Sequence, residues 1–113
     1  MFLRAPIIGM ALLLGSAGAF AQFGRDPPWN PEHIDNLPAE VRRAVLAMCQ
    51  ERPDAGHYFA TYSSDRVKLH FEHFHCEKAA KPFCNGSECL HQVYKLTAGH
   101  YRLEKSFFGP RND

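Results

Sequence analysis

The residues of this chain whose types could do chemistry are seven histidines and four cysteines, and they crowd between positions 33 and 100. His70, Glu72, His73, His75, Cys76 and His91 lie near one another along the chain or across a plausible strand pair. If residues 67–74 and their neighbours are extended, His73 and His75 share one strand face about 7 Å apart, a spacing that suits copper or zinc. His70 and Glu72 would then point to the opposite face, so one ion could not collect all four from a regular strand. Cys76, Cys84, Cys89 and His91 form a second conceivable zinc set, but only with free thiols. No other cofactor is suggested by any motif.

Signatures of catalysis are missing. Cys84 and Cys89 are separated by four residues rather than the two of a thiol oxidoreductase, and there is no nucleophile elbow, phosphate-cradling glycine loop or His-Glu-x-x-His helix. A Cys89–His91 nucleophile can be drawn on paper, but a disulfide-bonded sulfur cannot attack. The expectation is a non-enzymatic protein. Asn85-Gly86-Ser87 matches a glycosylation sequon, which has a role only in a eukaryotic secretory pathway; turn chemistry explains Asn-Gly equally well.

Redox compartment decides what the cysteines do. Residues 1–21 have the form of a secretion signal: Arg4, an apolar run from Ile7 to Leu14, and an Ala19-Phe20-Ala21 cleavage site. Cleavage would leave 92 residues from Gln22, secreted or periplasmic, with no later apolar stretch long enough to span a membrane. Loss of Arg4 takes the basic count from 13 to 12 against 12 acids, so the mature charge is zero with neutral histidine. That balance argues against a strongly charged partner surface and against nucleic-acid binding. Four cysteines in an exported chain of this size point to two disulfides.

The elements that must position these groups can be read in outline. Residues 22–36, with three prolines and no periodicity, read as an extended arm, with Trp29 docked on the domain. A helix should begin at Pro38, with Val41, Val45, Met48 and Cys49 on one face, and end before Pro53 and Gly56. From His57 the period becomes two. Residues 57–62 and 67–74 read as one hairpin about Ser63–Arg66, with Val67, Leu69, Phe71 and His73 toward the core. Residues 90–96 and 100–108 read as a second, in which Tyr101, Leu103 and Phe107 alternate with Arg102, Glu104 and Ser106 while Lys105 breaks the apolar row. The expectation is one α+β domain over 37–113: one N-terminal helix on a four-stranded antiparallel sheet of two hairpins.

In that frame Cys49 and Cys76 reach the same end of the first hairpin, and Cys84 and Cys89 flank a tight turn. The preferred pairing is Cys49 with Cys76 and Cys84 with Cys89, worth roughly 3.5 and 2 kcal/mol from chain entropy. Cys76 with Cys89 and Cys49 with Cys84 is the alternative. The aromatic residues exceed what one sheet face can bury. An aromatic face interleaved with Lys68, His70, His91 and Arg102 would suit a protein or small-ligand partner. The function expected is therefore a non-catalytic binding module, with metal binding through His73 and His75 as the alternative.

Overall fold

The computed structural model describes residues 29–79 and 81–111. The secretion signal expected at 1–21 and residues 22–28 of the expected arm lie outside the described residues. The elements run α1 (Glu32–Asp35), α2 (Ala39–Leu46), β1 (Asp54–Ala55), β2 (Ala60–Ser63), β3 (Arg66–His70), a 3₁₀ turn (Phe71–His73), β4 (Phe74–His75), β5 (Cys84–Asn85), β6 (Glu88–Thr97) and β7 (His100–Pro110). Among the described residues no helix is long and apolar enough to cross a membrane.

The α+β character and the antiparallel pairing agree with expectation; the counts do not. Among the described residues two helices precede the strands, and the main sheet has five strands in place of four. In it β3 and β7 flank β6, β2 extends the sheet beyond β3, and short β5 pairs with the start of β6. A separate two-stranded sheet pairs β1 with β4. The end of the proline-rich stretch is folded: Asn30 bridges Ala55, and α1 carries Ile34 into the core. Period analysis misses a four-residue helix because it completes barely one turn.

Pro38 caps α2, its carbonyl accepting the Arg42 N–H at 2.8 Å, and Val41 and Val45 are fully buried beneath it. They pack in one core with Ile34, Leu37, Ala55, Phe59, Val67, Leu69, Phe71, Phe74 and Tyr94. Glu40 ties α2 to β7, accepting the Tyr101 N–H at 3.0 Å and meeting His100 Nδ1 at 2.6 Å. Those bonds hold the Glu40 carboxyl below its ordinary range.

The strand expected over 67–74 stops at His70, and this has the largest consequence. The 3₁₀ turn buries Phe71 and Glu72, then Phe74 enters the core from the second sheet. Phe59, Phe71, Phe74 and Phe83 thereby form one ring cluster with centroids 5.1–5.2 Å apart. Aromatic burial outweighs strand regularity here, since each ring removes far more apolar area from water than two ladder bonds contribute.

Both disulfides form in the preferred pairing, Cys49–Cys76 and Cys84–Cys89. Cys84 and Cys89 are direct partners across the β5–β6 pair, and no described cysteine is free. The zinc set of Cys76, Cys84, Cys89 and His91 is therefore excluded in this oxidised form.

Candidate functional site

The face of the main sheet turned away from the helices carries the candidate site, and strand register assembles it. Residues opposite one another in register share a face. Three rows run across β3, β6 and β7 on the outer side: Arg66, Lys95 and Arg102; Lys68, Val93 and Lys105; His70, His91 and Phe107. The inner rows instead carry Leu69, Gln92 and Ser106, and Val67, Tyr94 and Leu103.

Lys105 reaches the outer face because of a β-bulge. Val93 pairs with Lys105 and the next residue, Tyr94, pairs with Leu103, leaving Glu104 as the extra residue of β7. One inserted residue exchanges the two faces beyond it. Tyr101 and Leu103 lie in the inner rows, whereas Phe107, expected to share their face, does not. This corrects the simple alternation expected for residues 100–108, and the break at Lys105 was the visible trace of the bulge.

Glu104 projects outward beside Lys105 and receives Arg66 Nε and Nη2 at 3.0 and 3.1 Å, while Asp65 accepts Nη1 at 3.0 Å. Arg66 holds Glu104 below the usual carboxylate range, and the two carboxylates raise the Arg66 guanidinium in return. Among the described residues, no carboxylate lies in ion-pair distance of Lys68, Lys95, Arg102 or Lys105. Five cations and one carboxylate therefore occupy these rows and the bulge. Net charge near zero had argued against such a surface, but it fixes a sum and leaves the distribution open.

The histidine row is tightly ordered. His91 is only 8% exposed, stacked on Phe107 at 5.5 Å with a 29° interplanar angle. Its Nε2 lies 3.0 Å from the Pro110 carbonyl, which only accepts, so Nε2 carries a proton. With one proton per ring, His91 Nδ1 accepts from His70 Nδ1–H at 3.1 Å, and His70 Nε2 accepts the Thr61 hydroxyl at 3.2 Å. The chain of donors thus runs from Thr61 through both imidazoles to the backbone. Burial lowers the His70 pKa; Glu72 opposes this, while His91, His73 and Lys68 reinforce it. Gly109 admits this packing, since a Cβ there would lie 3.2 Å from Phe107 Cε2 and 3.4 Å from His91 Cδ2.

A cavity of about 660 Å³ opens over this face, lined by Arg66, Lys68, His70, His91, Lys105 and Phe107 among others. Its floor offers cations and an imidazole pair, and its wall a half-exposed phenyl ring. A smaller cleft of about 160 Å³ lies between His33, His57 and Tyr62.

The pair first singled out for metal is not brought together as a strand pair. His73 lies in the 3₁₀ turn, with Tyr58 at 6.2 Å, and His75 lies on β4 near Trp29 and Glu77. The common strand face assumed for them does not exist, because the chain leaves the extended conformation between His70 and Phe74. Of the partner-face residues, Lys68, His70, His91 and Arg102 do lie on one face. The aromatic contribution is narrower than expected: Phe107 lines the cavity, whereas the exposed Tyr62 and Phe108 belong to the inner rows. Glu104 and Lys105 were not picked out as site residues beforehand, whereas Glu72 was named with His70 among the residues that could do chemistry.

The geometry defines a disulfide-stapled α+β domain with a basic, histidine-containing groove. Compared with family models, curated proteins and solved structures, the chain matches none.

Proposed function

We propose that this protein is a non-catalytic binding module of an oxidising, extracytoplasmic compartment, and that its outer sheet face receives a small anionic ligand with an apolar part. The observation that carries this reading is the cavity of about 660 Å³ lined by Lys68 and Lys105 together with the His70, His91 and Phe107 row. Its size suits a small molecule, and its few convergent polar groups on a firm sheet suit recognition. A carboxylate or phosphate would meet Lys68 and Lys105, and a ring or short chain would lie along Phe107. The lining residues sit on three adjacent hydrogen-bonded strands, β3, β6 and β7, so little ordering cost falls on binding.

Thr61, whose hydroxyl donates to His70 Nε2, is not among the residues that line the groove, so its oxygen is not presented to a ligand held there, which supports binding over turnover. Calorimetric titration with an aryl carboxylate, an aryl phosphate and the matching neutral aryl amide tests the reading. Saturable binding of the anions is expected, weakened at least about tenfold by Lys68→Ala with Lys105→Ala and by added salt. Equal affinity for the neutral amide, or no effect of the double substitution, would overturn it.

A further inference from the structure

We infer that His70, Glu72 and His91 form a site for one divalent transition-metal ion of the zinc type, at the buried end of the groove. One donor atom from each residue lies within 4.8 Å of the others. This inference stands independently of what the groove binds. It also concerns different residues from the His73–His75 pair that spacing alone selected.

The donor set is two imidazoles and one carboxylate, a combination that zinc accepts with a fourth position open. Distances favour it. Zinc–nitrogen bonds of about 2.0–2.1 Å place two tetrahedral nitrogen ligands about 3.3 Å apart, and a right-angled pair about 2.9 Å apart. The two Nδ1 atoms are 3.1 Å apart, between those values. The shared N–H···N proton occupies the place that the ion would take, and Glu72 brings a carboxylate oxygen to within 4.8 Å of a donor nitrogen on each ring.

Both rings already have the outer partners a metal site uses. A ligating histidine usually donates its remaining N–H to a carbonyl or hydroxyl, which fixes its tautomer. His91 Nε2–H already donates to Pro110. On metal binding the proton on His70 Nδ1 moves to Nε2, where Thr61 Oγ1, 3.2 Å away, turns from donor to acceptor. The proton count on the two rings is then unchanged.

Burial supports the site as well. His91 and Glu72 are 8% and 9% exposed, and Phe107 covers His91, so the ligands cannot swing away freely. Lys68 and Lys105 stand nearby and oppose a bare cation, but Glu72 places a carboxylate against the imidazoles. The same cations favour an anion in the open fourth position.

The test is a titration of the full, oxidised chain with Zn(II) against a chromophoric chelator at pH 7.5, with no other ligand. One equivalent should bind with Kd below about 10 μM, tighter than an adventitious histidine pair. Glu72→Gln and His91→Ala should each lower affinity at least about tenfold, because even an outer partner of a metal ligand is worth 10- to 100-fold. Replacing both His73 and His75 by Ala should change it less than twofold. If a variant does not fold, nitrogen-15 imidazole spectra of the wild-type chain decide, with zinc expected to shift the His70 and His91 Nδ1 resonances. Absence of a saturable site below 10 μM, unchanged affinity in the folded variants, or shifts confined to His73 and His75 would overturn the inference.

Discussion

Removing the Cys49–Cys76 bridge is the perturbation whose size follows most directly from the structure. The bond joins the segment after α2 to the end of β4 across a sequence separation of 27, closing a loop of about 28 residues. On the chain-entropy relation, opening it gives the unfolded chain about 12 cal/mol/K, or roughly 3.5 kcal/mol at 25 °C. The Cys84–Cys89 bridge, with a separation of 5, closes a loop of about six residues and is worth roughly 2 kcal/mol. Together they rival the 5–15 kcal/mol of total stability typical of a small domain. Cys49→Ala with Cys76→Ala should therefore lower Tm by about 14–28 °C, at roughly 4–8 °C per kcal/mol for a domain of this size. Cys84→Ala with Cys89→Ala should cost less, near 8–16 °C. Thermal unfolding followed by circular dichroism at pH 7 measures both. A smaller loss for the 49–76 pair than for the 84–89 pair would refute the loop-length reasoning.

Other consequences are as direct. Phe71→Ala removes the ring that touches Phe59, Phe74 and Phe83 at once, and should cost about 3–5 kcal/mol in urea unfolding. The β6–β7 turn holds Ala98 at φ 53° and Gly99 at φ 81°, so Ala98→Asn should stabilise by about 0.5–1 kcal/mol in the same assay. Burial depresses the folded pKa of His70, so unfolding takes up a proton in the window between its folded pKa and about 6.5. Its contribution is full above that unfolded value and falls as pH drops through it. Urea midpoints from pH 7.5 to 5 should decline, and less steeply in His70→Asn.

The cysteine pairing and the hairpin framework were legible because both follow from local rules. An even cysteine count, a tetrapeptide turn and the geometry of a hairpin's ends suffice for the two bridges. The helix from Pro38 was legible from spacing, with Val41 and Val45 fully buried where the period places them. The break after His70 was not, since Val67 to Phe74 alternates cleanly and only the pull of four phenylalanines into one cluster bends the chain away. That break removes His73 and His75 from a common strand face. The outer face was legible in part. His70 and His91 could be paired across strands, whereas the reach of Glu104 to Arg66 and the place of Lys105 on the outer face depend on a one-residue bulge whose sole trace is a lysine in an apolar row. Charge balance misled because the cations and carboxylates of a neutral chain can segregate by face.

Resonance mapping of an aryl phosphate titrated into the full, oxidised chain tests the central claim most directly. The groove reading predicts saturable shifts centred on Lys68, His70, His91, Lys105 and Phe107, with little change at Val41, Val45 or Ile34. Shifts that do not saturate by about 1 mM, an affinity of roughly −4 kcal/mol, or that centre on the helical side would contradict it.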